Sequence, residues 1–491
     1  MEKQIKQVRT RFAPSPTGFL HIGNLRTALY AYLYARKNGG KFILRIEDTD
    51  LERYVEGALE VILDTLKAAG IEYDEGPVVG GPFAPYIQSE RKSNYAVYAN
   101  ELVEKGGAYR CFCQKKGKGA VGVSGESEEE ADCTKVIGYD RKCRNLSKKK
   151  IEENLKKSIP FVIRQKIPLD GKSAYKDLVF GLIEVENKEL EDQILIKSDG
   201  MPTYNFANVV DDHDMAITCV MRGSEYVSST PKYNLLYQSF GWEIPVYIHL
   251  PHIMKDATHK LSKRNGDASF DDLVAKGFLS EAVVNYIALL GWAPKNNVEK
   301  MTMEQMKEMF SVDGISKSQS IFDEAKLKWL NAQYIKELPF DKFKALAKPF
   351  LQKSKAYGKY DENKLLKLVQ GRIDTLADIP VLLDFLEEFG SFDKALYTNE
   401  KLKTSPDVAK EILPKVKQAL SKLKDWNEQT IHDALFALVQ ALEVKNGIVL
   451  WPSRVAISGK ASTPGGAVEL SDILGKTETL RRLDFSIGEL G

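Results

Sequence analysis

Five cysteines in 491 residues are too few for a disulfide framework, and four of them crowd between Cys111 and Cys143, with Cys219 alone. With no secretory signal in view, that grouping predicts reduced thiols or a metal site rather than cross-links. Long apolar runs are missing too, and none approaches membrane-spanning length, so no membrane partner is expected. No apolar stretch follows the opening "MEKQIKQVRTR", which predicts a cytoplasmic protein without a signal peptide. Nor is one charge in excess. Lys and Arg total 70 against 68 Asp and Glu, a formal net charge of +2. A nucleic-acid partner would therefore have to be met by local clusters, not by the field of the whole chain.

What is present is globular: 43% hydrophobic and 28% charged residues, at a length that suggests roughly three or four domains. "VRTRFA" reads as a strand ending at Pro14. Leu25, Ala28, Leu29, Tyr32 and Leu33 then recur on one face of a helix, which "NGG" at 38–40 stops, and "KFILRI" is a second strand. This is a β-turn-α-β unit, the seed of a parallel sheet. A further helix over 55–70 would bury Val55, Leu59, Ile62, Leu63 and Leu66. Residues near 111–200 differ, with a Gly-, Lys- and Glu-rich loop and strands such as "PFVIRQKIP" that suggest a separate small β-rich module. The α/β pattern resumes with "QILIKS", "TYNFANVVDDHD", "AITCVMRG" and "PVYIHLP", and in "STPKYNLLYQSFG" Thr230 is the expected N-cap with Pro231 at the first helical position. From about 270 onward strands disappear and lysine-rich helical periodicity takes over.

Two stretches invite chemistry. In "FAPSPTGFLHIGN" a Pro-Gly turn precedes a helix start, and two readings compete. One is an ordinary turn and cap. The other is a phosphate site, where helix N–H groups and dipole face an anion, Gly23 admits a close approach, and His21 and Asn24 donate. "HKLSKRNG" at 259–266 is either a solvated basic run or a mobile loop bringing Lys260, Lys263 and Arg264 to a triphosphate.

Together these motifs carry a resemblance. "HIGN" with "KLSKR" far downstream resembles the HIGH and KMSKS signatures of class I aminoacyl-tRNA synthetases. "RFAPSPTG", "FILRIEDTD" and "DGMPTYNFANVVDD" are similar to the bacterial-type glutamyl-tRNA synthetases, whereas glutaminyl relatives read nearer to "PPEPNG" and "DDTN". "SQSIFDEAKLKWLNAQYI" at 318–335 and "VLWPSRVAISGK" at 449–460 extend the likeness to the stem-contact and helical anticodon-binding regions. The resemblance implies an α/β fold: a Rossmann-like parallel sheet with an inserted acceptor-binding module, then all-α domains. It places the catalytic halves at 1–110 and 200–253, the insert at 111–199, the KLSKR loop and stem-contact domain at 254–335, and the anticodon-binding region at 336–491.

The implied reaction is ATP-dependent ligation of L-glutamate to tRNA(Glu) through glutamyl-adenylate, with Mg²⁺, by a monomer. By motif match His21, Lys260 and Lys263 are catalytic, and Gly23, Asn24, Leu261, Ser262 and Arg264 meet ATP. Arg11, Tyr204 and Arg222 would hold the side-chain carboxylate, because guanidinium suits carboxylate geometry. Glu47 with Ser15 and the Ala13 backbone would hold the amine, and Asn208 would orient the rest. Alternatives are a non-discriminating enzyme that also charges tRNA(Gln), an inactive tRNA-binding paralogue, and a small nucleotidyltransferase, which the long C-terminus disfavours.

"CFC" at 111–113 and "YDRKC" at 139–143 resemble the arms of a structural Zn²⁺ site in some relatives. Cys111, Cys113 and Cys143 would be ligands, with Cys133 or Tyr139 as the fourth. Asn145 stands where some relatives have histidine, so unligated thiols are the competing reading.

Overall fold

The computed structural model describes residues 7–16, 20–49, 55–113, 139–259, 261, 269–387 and 389–491. Its first unit is built on the β-turn-α-β pattern. β1 (Arg9–Phe12) and β2 (Lys41–Leu44) run parallel, Arg9 beside Lys41 and Phe12 beside Leu44. Between them α1 (Ile22–Lys37) buries Leu25, Ala28, Leu29, Tyr32 and Leu33, the face set by their spacing. A Cβ at Gly40 would stand 2.2 Å from the Val8 carbonyl oxygen. Only glycine lets the chain turn back so close to β1.

There follow α2 (Ala58–Ala68), α3 (Lys92–Glu104), β3 (Ala108–Cys111), α4 (Lys148–Lys156), β4 (Val162–Gln165), β5 (Lys172–Asp177), β6 (Gly181–Glu186) and β7 (Ile194–Ile196). Then come α5 (Tyr204–Asp214), β8 (Cys219–Gly223), α6 (Thr230–Phe240), β9 (Val246–Leu250) and β10 (Ile253–Met254). Ile62 and Leu66 of α2 are buried as expected, but Val55 precedes the helix and is exposed. In α6 the N-cap is Ser229, not Thr230; the Thr230 hydroxyl donates instead to the Tyr226 carbonyl at 2.7 Å.

β3, β4 and β7 form an antiparallel sheet. The hairpin of β5 and β6 does not join it. It pairs with β9, and the order is β6-β5-β9-β8 with β5, β9 and β8 parallel. The β-rich segment is therefore not wholly separate. β5 alternates exposed and buried residues and needs an apolar face to cover, which Tyr247 and its neighbours supply. β8 in turn lies against β1, where the Thr218 N–H donates to the Arg9 carbonyl at 3.0 Å. The Gly-, Lys- and Glu-rich loop expected near 114–138 lies outside the described residues.

Further on are α7 (Phe270–Ala275), α8 (Ser280–Leu289), α9 (Met303–Met309) and β11 (Ser320–Ile321), a two-residue strand parallel to β10 in a stretch where none was expected. By contact, residues 284–323 group with this first unit and 273–283 with the second.

The second unit is helical: α10 (Glu324–Glu337), α11 (Phe340–Leu351), α12 (Glu362–Val369), α13 (Asp378–Leu382), α14 (Pro406–Ser421), α15 (Glu428–Ala441), α16 (Asn446–Ser458) and α17 (Ala467–Leu490). Its core includes Leu413, Val416, Leu435, Val449, Ala456, Leu470 and Leu483, all fully buried. Side-chain caps start its helices: Ser405 accepts from the Val408 N–H, and Asn427 and Thr430 form a reciprocal capping box. In the "VLWPSRVAISGK" segment, Arg454 folds back over the Trp451 ring and donates to the Lys460 and Ala461 carbonyls. No helix among the described residues is long and apolar enough to cross a membrane.

Candidate active site

The N-terminus of α1 shows what the Pro-Gly turn presents. His21 is the N-cap, and its Nδ1 accepts from the Gly23 N–H at 3.0 Å. One of the helix's leading N–H groups is thus used by the protein itself, where an open set was expected. Accepting at Nδ1 puts the neutral ring's proton on Nε2, the atom able to donate to a phosphate oxygen. A Cβ on Gly23 would come 3.1 Å from Nδ1 and crowd this cap. Asn24 is exposed beside it. His21 also forms a β-bridge with Ser269, while buried Leu261 donates its N–H to the Ile253 carbonyl. Lys260, Ser262, Lys263 and Arg264 lie outside the described residues, as does Cys133.

Behind the strand ends is a buried charged cluster. Asp212 Oδ1 accepts from Arg11 Nε at 3.1 Å and from Arg45 Nη1 at 2.7 Å. Arg45 also donates from Nη2 to Glu47 Oε1 at 2.9 Å. Arg11 Nη1 reaches the Met221 carbonyl at 3.2 Å. Asp211 takes Gln88, Arg91 and Tyr95. Burial opposes charge on Arg45, yet Asp212, Glu47 and Asp211 together raise its pKa well above the ordinary value. Burial pushes the Asp212 carboxyl up, but Arg11 and Arg45 win and hold it below the usual range. Glu47 goes the other way, pushed up by burial against the pull of Arg45 and Arg11. The Pro14 carbonyl accepts from the Glu47 N–H at 3.0 Å, tying the turn after β1 to this acid, with Ala13 half-buried and Ser15 exposed nearby in the chain.

Arg222, at the end of β8, is 5% exposed and set differently. Its Nε donates to His249 Nε2 at 3.2 Å and its Nη2 to Thr230 Oγ1 at 2.7 Å. The faces of Tyr226 and Tyr233 lie 4.9 and 4.8 Å from its central carbon. It forms no ion pair with a carboxylate among the described residues. Burial lowers its pKa, but the surrounding tyrosines, Tyr233 and Tyr204 foremost, more than reverse this. Tyr204 is raised well above its usual value by burial, then by Tyr226 and Glu47, against Arg222 and Arg11. Arg11, Glu47, Tyr204 and Arg222 are thus electrostatic neighbours. Asn208 is one turn along α5, its amide donating to the Tyr204 carbonyl at 2.8 Å. An arrangement of two guanidiniums, one carboxylate and a phenol suits a small zwitterion carrying more than one carboxylate.

The sequence reading missed Arg45, Asp177, Asp211, Asp212, Thr230 and His249. Some left a signal: Arg45 and His249 are polar residues inside the apolar runs "FILRIE" and "VYIHLP", where burial demands a partner.

Cys111, Cys113 and Cys143 have sulfur atoms within 4.8 Å of one another. A tetrahedral zinc with bonds of about 2.3 Å spaces its sulfurs about 3.8 Å apart, so the donor set fits. Cys113 and Cys143 are 3.6 Å apart, and the Tyr139 hydroxyl is 3.2 Å from the Cys111 sulfur. Burial and the neighbouring sulfurs push the Cys113 thiol up to about 12.

Comparison with known proteins now bears on this geometry. Residues 7–329 match the family described as "tRNA synthetases class I (E and Q), catalytic domain", and residues 342–487 that described as "Anticodon binding domain". A glutamate–tRNA ligase of Clostridium novyi is 56% identical over 488 residues, covering 99% of this chain and 98% of the relative. One of Clostridium kluyveri is 52% identical over 484 residues, covering 99% and 98%. The crystal structure of a glutamate tRNA ligase from Elizabethkingia meningosepticum in complex with its amino acid superposes with a TM-score of 0.85 at 34% identity, covering 99% of this chain and all of that one.

Proposed function

The chain belongs to the class I (E and Q) tRNA synthetase family, and from that premise we propose that it ligates L-glutamate to tRNA(Glu) at the expense of ATP. The observation that carries the choice of amino acid is Arg222: a buried cation whose hydrogen-bonded partners are a neutral ring and a hydroxyl. Burying a guanidinium without a counter-ion is costly, and a substrate carboxylate relieves that cost. Glutamine offers only a neutral amide.

In this reading Arg222, Arg11 and Tyr204 take the side-chain carboxylate. Glu47, with Ser15 and the Ala13 backbone, takes the ammonium, and Asn208 orients the chain. The α-carboxylate oxygen attacks the α-phosphorus of ATP, forming glutamyl-adenylate and releasing pyrophosphate. A ribose hydroxyl of the terminal tRNA adenosine then takes the acyl group and AMP leaves. Catalysis is positioning plus electrostatics. His21 Nε2 and the start of α1, with Gly23 and Asn24, meet ATP. Leu261 leads into the stretch that carries Ser262, Lys263 and Arg264, and Ser269, which follows it, bridges to His21; this favours a role for Lys260 and Lys263 on the triphosphate. Mg²⁺, brought in with ATP, would supply charge compensation for the departing pyrophosphate. Cys111, Cys113, Cys143 and the Tyr139 hydroxyl would hold a structural Zn²⁺. The helical residues 336–491 would read the anticodon, and the enzyme would work as a cytoplasmic monomer.

The test is aminoacylation with labelled glutamate and glutamine on separate transcripts of tRNA(Glu) and tRNA(Gln), with ATP and Mg²⁺. Glutamate on tRNA(Glu) alone establishes the discriminating enzyme. Glutamate on both transcripts makes it non-discriminating. Failure to charge either would overturn the reading.

A further inference from the structure

Arg222 is held by a chain of buried groups that begins on another segment of the protein. Asp177, the last residue of β5, is fully buried and accepts four hydrogen bonds. Its Oδ1 takes the Val179 and Phe180 N–H groups at 2.8 Å each, and its Oδ2 takes the His249 N–H at 3.1 Å and faces His249 Nδ1 at 2.7 Å. The His249 ring is itself fully buried and lies 3.2 Å from Arg222 Nε.

Donor and acceptor counting fixes the protons. An ionised carboxylate only accepts, so His249 Nδ1 donates. Arg222 Nε only donates, so His249 Nε2 accepts. The ring is therefore neutral, with its proton on Nδ1. Thr230 has one hydroxyl proton, with acceptors in the Tyr226 carbonyl at 2.7 Å and the bare His249 Nε2 at 3.3 Å, so toward Arg222, which only donates, it too presents a lone pair. Burial, opposed by Asp177 and helped by Arg222, lowers the His249 pKa to about 4, which agrees with a neutral ring at physiological pH.

We propose that Asp177 and His249 are positioning residues for amino-acid selection: they pin the tautomer whose bare Nε2 holds one edge of the Arg222 guanidinium and so aims its remaining donors at the substrate side-chain carboxylate. This rests on the reading of Arg222 given above. The Nε–Nη2 edge is engaged by His249 and Thr230, while Nη1 donates to no described residue. The two tyrosine faces keep the plane from rotating. Selection of an acid over its amide thus draws on the β5–β6 hairpin through Asp177.

The first measurement needs no mutant. Nitrogen-15 spectra of the full chain, with His249 assigned by its loss in His249→Gln, report which ring nitrogen is protonated. A protonated Nδ1 and a bare Nε2 at neutral pH are expected; a protonated Nε2 overturns the proposal. In Asp177→Asn the amide oxygen is drawn to the two turn N–H groups, its NH₂ faces the ring, and the proton moves to Nε2, opposite an Arg222 N–H. The glutamate KM then rises by about tenfold or more while the ATP KM changes by less than about twofold. His249→Leu does the same, whereas His249→Gln, which keeps an acceptor, restores most of the glutamate affinity. Glutamate KM unchanged in folded Asp177→Asn and His249→Leu, with Arg222→Ala impaired, overturns the positioning role alone. Arg222→Ala with an unchanged glutamate KM overturns the reading of Arg222 and this proposal with it.

Discussion

Two buried arginines, Arg11 and Arg222, are held in opposite ways. Arg11 shares the Asp212 carboxylate with Arg45, and Glu47 completes the pairing, so its charge is largely answered inside the protein. Arg222 rests on a neutral imidazole, a hydroxyl and tyrosine faces. The first arrangement is closed by ion pairs within the protein, and the second leaves Arg222 without a carboxylate partner among the described residues. A guanidinium in an apolar site is thus better judged by its partners than by its burial.

The contrast is broken most directly at Asp212. Asp212→Ala leaves Arg11 and Arg45 buried beside too few acids, and a loss of about 3–5 kcal/mol of stability is expected. Thermal or urea unfolding checks it, and a loss below 1 kcal/mol would mean the two arginines do not depend on Asp212. Arg222→Ala should do the reverse: cost about 2–5 kcal/mol in glutamate binding while the melting temperature holds or rises. Steady-state pyrophosphate exchange beside a melting curve separates the two effects.

Acid sharpens the comparison. His249 has a folded pKa of about 4 against 6.5, so between those values the unfolded chain binds more protons. Its contribution to stability, of roughly 3 kcal/mol, is complete above pH 6.5 and lost as pH falls to 4. His249→Gln should flatten that part of the wild-type stability–pH curve; an unchanged slope would show that burial and Arg222 do not hold the ring neutral. The smallest effect on the pocket is expected from Cys113→Ser. It should lower zinc content measured by atomic absorption, while the glutamate KM moves less than about twofold because the cluster lies on another sheet.

Much of this was legible in the sequence. The spacing of Leu25, Ala28, Leu29, Tyr32 and Leu33 marks the buried face of α1, and "TYNFANVVDDHD" and "DVAKEILPKVKQALSKL" read as the helices they are. The resemblance assigns Arg11, Glu47, Tyr204 and Arg222 to one site, and in the structure the other three are electrostatic neighbours of Tyr204. What could not be read are pairings across sequence. Asp212 meets Arg45 across 167 residues and Asp177 meets His249 across 72. Periodicity reports which face a residue lies on, not which distant charge answers it. "FGLIEVENKEL" reads as the strand that β6 is, but the pairing of the β5–β6 hairpin with β9 escaped for the same reason: alternation shows that one face is covered, not which strand lies beside it.

The sheet also imposes an order on synthesis. β1 is made among the first residues, yet the Arg9–Thr218 contact that sets it beside β8 spans 209 residues. At elongation rates of about 5–20 residues per second that is a wait of ~10–40 s with one strand edge uncovered. An open edge invites pairing with another chain, and charged side chains discourage it. The strand reads Arg-Thr-Arg-Phe. Its two arginines are thus placed to guard the nascent chain until β8 arrives.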